Sequence, residues 1–252
     1  MSEELVQNEQ DEIVEVINAP KAKNSSKNSI NLGGFEDFYE DNKKTITYGG
    51  VALLVIVALF SFYKFSYLPG QEKDANNEVF YAQNYFEKDS FNIALNGAIN
   101  VQSSEGPKTM IGFKEIAEAY SSTKTGNLAN YYAGICLLRT GKFEEAITYL
   151  EAFSGNDEMV APMAIGAIGD ANMELNKIDE AIKYYLSASE KSTNTFTTPL
   201  FLKKAAFAYE LKANYPEALA LYERLKSEYS KSNEAREIEK YISRVKVLGN
   251  ID

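Results

Sequence analysis

The sequence predicts an all-α protein in which a single N-terminal transmembrane helix is followed by an α-solenoid of paired helices. Three observations predict it. The apolar run from Thr45 to Tyr67 carries no charge over 19 consecutive residues (45 to 63), within the roughly 17 to 25 that a helix needs to cross hydrocarbon. Beyond the run, small residues recur in a helical register, and Ala146, Ala181 and Ala218 stand 35 and 37 residues apart. The chain closes in a charged amphipathic stretch, which suits the open end of a repeat array.

Composition narrows the function. About 44 residues precede the apolar run and about 185 follow it, so only the second part can build a core. The first segment has 10 acidic residues against 5 lysines and the second 26 acidic against 20 basic, in a chain of net charge −10. Neither supplies the excess of Lys and Arg that phosphate binding needs, so nucleic acid is not an expected partner. The single Cys136 excludes an intramolecular disulfide and reads as a small buried hydrophobe. With no histidine, His-based triads, most zinc sites and haem ligation are removed. No Gly-rich phosphate loop, CxxC, HExxH or GxSxG occurs. The carboxylate pairs Glu144–Glu145 and Asp179–Glu180 fall where acids favour a helix N-terminus. Lys124–Thr125 and Lys191–Ser192 lack the third orienting group that a Ser–Lys mechanism requires. The expectation is a non-enzymatic chain with no cofactor, no metal and no small-molecule substrate.

Taken in order, residues 1–34 read as a disordered acidic tail around one short apolar patch, Ile13, Val14, Val16 and Ile17. Residues 35–44 place Phe35, Phe38 and Tyr39 on one helical face, the pattern of a short interfacial helix. In the span 45–67, eight strong apolar residues from Val51 to Phe60 supply roughly −2.5 to −5 kcal/mol of insertion free energy. Tyr48 at one end and Tyr63, Phe65 and Tyr67 at the other suit the headgroup levels, and Lys64 is near enough to an end to snorkel. The acidic stretch before the run does not resemble a cleavable leader, so an uncleaved anchor is expected. Lys27, Lys43 and Lys44 upstream against Lys64 and Lys73 downstream put the N-terminus in the cytoplasm and the remainder outside it. Pro69 and Gly70 are expected to end the helix, leaving 68–76 as a polar linker.

The repeat array is expected over 77–252. Its clearest unit, 127–160, resembles the 34-residue tetratricopeptide (TPR) pattern, with Gly134 at position 8, Gly141 at 15, Phe143 at 17 and Ala146 at 20. Gly134 and Ala146 belong where the two helices approach closely, and Phe143 fills the gap beside the turn. A unit over 162–195 places Gly169, Ile178, Ala181, Tyr185 and Ala188 in that register, and one over 199–232 places Ala206, Tyr209, Tyr215, Ala218 and Tyr222 there. A degenerate unit, 77–102, has Ala82, Tyr85, Phe91 and Ala94 in the same places. The wider spacing that follows it leaves room for an inserted helix, 111–122, and residues 233–248 form a capping helix whose stripe is Ile238, Tyr241, Ile242 and Val245.

In a TPR array the concave groove is lined by the first helix of each unit at positions 2, 5, 9, 12 and 13. The first unit supplies Tyr131, Ile135 and Arg139, with Leu128 and Leu138; the second supplies Met163, Asp170, Met173 and Glu174, with Gly166; the third supplies Lys203, Phe207 and Glu210, with Leu200 and Leu211. Tyr131 and Ile135 replace the Lys and Asn of TPR domains that clamp a chaperone's C-terminal carboxylate, so that mode is not expected. A Met-rich, aromatic groove suits adaptable contact with apolar or helical protein segments.

The layout from 35 to 250, carried locally by FYEDNKK entering the span and by YAQNYFEKDSFNIALNG, resembles the ancillary SecYEG translocon subunit (YfgM-like) family. The resemblance implies a single-pass protein of the cell inner membrane with a periplasmic TPR domain. It implies as partners the translocon subunits, a membrane-tethered isomerase-like chaperone and nascent secretory chains, with lipid contacted through 45–67. The competing expectation is a structural scaffold for another envelope complex serving secretion, motility or cell division.

Overall fold

The computed structural model describes residues 33–103 and 106–252; the acidic tail expected over 1–34 lies almost wholly outside the described residues. The chain divides between Phe60 and Ser61 into two compact units. The first contains most of helix α1 (Gly33–Phe62), and among the described residues one helical run is long and apolar enough to cross a membrane. None of the apolar window is buried within the protein, and Leu53, Leu54, Ile56, Leu59 and Phe60 are all exposed. A core helix of a soluble protein would hide these side chains, whereas α1 leaves them exposed on every side. Residues 35–44 are no separate interfacial helix but the first turns of α1, because nothing between Gly33 and Thr45 breaks the backbone ladder.

In the second unit a π turn, Tyr63–Tyr67, with Tyr63 and Tyr67 stacked at 5.7 Å, leads into α2 (Leu68–Phe86). The expected linker 68–76 is therefore helix. Pro69 follows directly on the π turn, and the backbone stays helical on both sides of it. Two contacts hold the segment in the array: Ala75 is fully buried, and the Glu72 carboxylate accepts from the backbone N–H groups of Lys124 (2.7 Å) and Thr125 (3.2 Å) and from the Thr125 hydroxyl (2.6 Å). Burial alone would raise that carboxyl, but these hydrogen bonds outweigh it and hold Glu72 below the usual carboxylate range.

There follow α3 (Phe91–Asn96), a hairpin of β1 (Ala98–Ser103) and β2 (Gly106–Met110), and α4 (Phe113–Ala119). Three helix pairs come next: α5 (Lys124–Arg139) with α6 (Phe143–Ala152), α7 (Val160–Glu174) with α8 (Ile178–Lys191), and α9 (Thr197–Leu211) with α10 (Tyr215–Glu228). Helix α11 (Ile238–Gly249) closes the array. The expected degenerate unit is thus a longer first helix and a six-residue second one. The inserted segment contains a two-stranded antiparallel hairpin as well as a helix, with Ala98 opposite Met110 and Val101 opposite Lys108. The capping helix begins five residues later than expected, after Glu237 adopts left-handed backbone.

The repeat shows most sharply in the turns. At position 15 the backbone is left-handed in every unit, at Asp89, Gly141, Asn176 and Ala213. At position 16 the N–H reaches back to the position-11 carbonyl: Ser90 to Tyr85, Lys142 to Leu137, Lys177 to Asn172 and Asn214 to Tyr209, at 2.8 to 2.9 Å. This closure satisfies helix-end carbonyls and sets the angle at which the second helix folds back. Only Gly141 adopts it without a Cβ penalty.

Each helix pair buries small against large. A Cβ on Gly134 would lie 2.5 Å from Leu150 Cγ, one on Gly169 2.6 Å from the Tyr185 ring, and one on Gly166 would overlap the Phe201 ring. Four neighbouring clusters run along the array, from Ala82, Leu95, Phe113, Ile116 and Leu137 through Leu150 and Ile168, then Tyr185 and Phe201, to Tyr222, Leu225 and Val245. Each cluster is shared between adjacent pairs, the nearest-neighbour packing of a solenoid. Cys136 lies in the first, fully buried, and burial pushes its thiol up to about 12.

Candidate partner-binding groove

The first helices α5, α7 and α9 line an open groove of about 1050 Å³. Position 8 of each unit faces its own second helix, so positions 5, 9, 12 and 13 turn towards the groove. Of the ten residues singled out from the sequence, Tyr131, Ile135, Arg139, Met163, Asp170, Met173, Glu174, Lys203 and Phe207 line it, together with Leu138 and Leu200. Glu210 does not line it; its carboxylate is held just behind, accepting from the Tyr222 hydroxyl (2.6 Å) and from Arg244 Nη2 (2.7 Å). Gly166 is buried under Phe201, a packing position. Leu128 and Leu211 are outside the groove lining.

The lining is graded along its length. Tyr131, Ile135 and Leu138 at the α5 end pack partly into the core around Leu150 and Ile168, and the Tyr131 ring lies 5.8 Å from Phe153 and 5.6 Å from Tyr132. Tyr131 is thus half core, while Phe207 is 49% exposed and free to meet a partner. Towards α11 the groove becomes polar, and the polar groups follow the repeat. Asp170 accepts from the Tyr185 hydroxyl (2.7 Å) and from Lys204 Nζ (2.6 and 2.8 Å), and Lys204 lies one 34-residue step further on. Glu210, Tyr222 and Arg244 repeat the arrangement, again with 34 residues between acid and base. Burial, reinforced by Asp170 in one case and Glu210 in the other, pushes the hydroxyls of Tyr185 and Tyr222 above the usual tyrosine range. Both phenols stay neutral donors, and each carboxylate is engaged from two sides.

Two cations of the lining are held differently. Arg139 lies over the Phe91 ring (6.0 Å to the centroid) and Lys203 over the Tyr241 ring (5.0 Å). Cation–π contact orients these groups and leaves their charge uncompensated. Sequence reasoning missed Tyr185, Phe201, Lys204, Tyr222 and Tyr241, which reach the groove from packing positions or from the capping helix. The 34-residue acid–base spacing was the signal that could have found Lys204 and Arg244. Among the described residues no group of three His, Cys, Asp or Glu could hold a metal ion.

The stacked helix pairs, the turn closure and the groove define a TPR-type α-solenoid. Family models of the tetratricopeptide repeat match residues 133–194 and 202–232. Among solved structures, the chain is similar to a crystal structure of nearly identical TPR-like repeats named for a Podosopora anserina kinesin light chain, at 14% identity and a TM-score of 0.47, covering 73% of this chain and 87% of that one. No curated protein matches the sequence. Arrays of this kind present extended concave surfaces to other proteins.

Proposed function

We propose that this chain is a membrane-anchored, non-enzymatic interaction module, an accessory subunit of the Sec translocon and its periplasmic chaperone network that assists emerging secretory proteins. The observation that carries the interaction role is the groove, an open surface of exposed Phe207 and half-buried Met163 and Met173 beside fixed charges. Flexible thioethers and an exposed ring adapt to varied apolar segments, which is what contact with many unfolded chains demands. The translocon role is supported by the layout of span and repeats and by the local likeness of FYEDNKK and YAQNYFEKDSFNIALNG to the ancillary subunit family. The lysine bias around the span supports a cytoplasmic N-terminus and a periplasmic array.

Protease added to spheroplasts should digest 68–252 and spare 1–44; protection of the array overturns the orientation. Mild-detergent copurification tests the partner. Translocon subunits and nascent chains at substoichiometric levels fit the proposal, whereas one envelope assembly at fixed stoichiometry identifies a scaffold instead.

A further inference from the structure

The groove is lined by three cations, Arg139, Lys203 and Lys204, against two carboxylates, Asp170 and Glu174, in a chain of net charge −10. Asp170 is already engaged by Lys204 and by the Tyr185 hydroxyl. Arg139 and Lys203 form no ion pair among the described residues and are steadied on aromatic rings. They stand on α5 and α9 with α7 between them, and its contribution to the middle is largely apolar, Met163, Ala167 and Met173. Arg139, at the last turn of α5, leans onto Phe91 of α3, and Lys203 of α9 leans onto Tyr241 of α11, so the two cations stand at opposite ends of the groove.

Resting on the interaction role above, we propose that the groove selects extended protein segments with an apolar centre and a carboxylate at each end, one facing Arg139 and the other Lys203. The neutral Tyr185 and Tyr222 hydroxyls and the committed Asp170 add no repulsion to an acidic segment. Glu174, the last residue of α7, is the one lining carboxylate without an ion pair among the described residues, and it disfavours a carboxylate beside it. Selectivity comes from charge placement, affinity from the apolar middle.

The chain contains no tryptophan, so a single Trp in a synthetic peptide reports its own burial. Three acetylated peptides with one apolar centre and paired Asp, Asn or Lys ends are titrated against the full chain in lipid nanodiscs, with empty discs as blank. The Asp peptide should bind at least about tenfold tighter than the Lys peptide, and salt raised from about 50 to about 500 mM should erase most of that preference. Arg139→Glu with Lys203→Glu should invert the order while the melting profile is retained. Should that variant not fold, the salt dependence on the unmodified chain decides. Equal binding of all three peptides, abolished by Phe207→Ala, overturns the charge rule and leaves the groove as the site. Binding that Phe207→Ala does not weaken, or no binding at all, overturns both.

Discussion

Helices α1 and α7 are both rich in apolar residues, and they meet opposite surroundings. In α1 the residues are large, with Val, Leu, Ile and Phe pointing outward on every side and none of the apolar window buried. In α7 most are small: Ala161, Ala164, Gly166, Ala167, Gly169 and Ala171 are all buried, and beside Ile168 the bulk comes from Leu150, Tyr185 and Phe201 on neighbouring helices. A helix that supplies bulk needs a solvent that flows around it, as acyl chains do. A helix that supplies mainly backbone and methyl groups needs partners of fixed shape. Side-chain size, more than hydrophobicity, distinguishes the exposed apolar helix α1 from the centre of the solenoid.

Exchanging size between the two helices tests this contrast most severely. Leu in place of Gly166 should overlap the Phe201 ring and cost about 3 kcal/mol or more, abolishing the cooperative melt. Leu in place of Gly50, which has no neighbour within 4 Å, should leave the melt of the array within about 0.5 kcal/mol of the parent. Circular dichroism of the detergent-solubilised chain measures both. Equal melts would mean that α7 is not packed as described.

A smaller effect probes the polar relay at the other face of α7. Asp170→Ala strands the Tyr185 hydroxyl and Lys204, and since Asp170 and Lys204 are about one-third exposed, a loss of about 1 to 2 kcal/mol is expected in denaturant titrations. Tyr185→Phe removes one hydrogen bond and should cost less. If Asp170→Ala is neutral, the repeated acid–base spacing is decorative.

Acid should act at Glu72 next. Its carboxyl is held below the ordinary value in the folded chain, so the unfolded chain binds the proton more readily. The stabilisation is complete at neutral pH and declines as pH falls below about 4.3, towards the folded value. Glu72→Gln should flatten that part of the stability–pH curve and cost about 1 kcal/mol at pH 7. An unchanged pH curve would show that Glu72 does not cap α5.

The smallest effect expected is a gain. Ala213 occupies the left-handed position that Gly141 fills in the α5–α6 unit, and Ala213→Gly should stabilise the array by about 0.5 kcal/mol, raising Tm by roughly 1 to 2 °C.

What was legible in the sequence follows from periodicity. Ala146, Ala181 and Ala218 are all fully buried, because a small residue at the crossing of two helices leaves a mark at a near-constant interval. Groove residues were legible for the same reason, since position within a regular helix determines which way a side chain turns. Periodicity did not reach the hairpin 98–110, whose few β-branched residues, Ile99, Val101 and Thr109, alternate too briefly to stand out. It also misread 68–76, where Pro69 suggested a stop but the helical run continues through it by way of a π turn. The engagement of Glu72 with α5 spans 52 residues of sequence and has no local signature.

Partner entry into the concave groove is the central claim, and site-specific crosslinking tests it in intact cells. A photo-crosslinking amino acid is placed at Phe207, half-exposed in the groove, and separately at Glu180, exposed on α8 outside it. The probe at Phe207 should capture nascent secretory chains or translocon subunits at least about tenfold more efficiently than the probe at Glu180, with both proteins folded and in the membrane. Equal capture at the two positions, or capture at Glu180 alone, would contradict groove entry and move the functional surface to the outer face of the array.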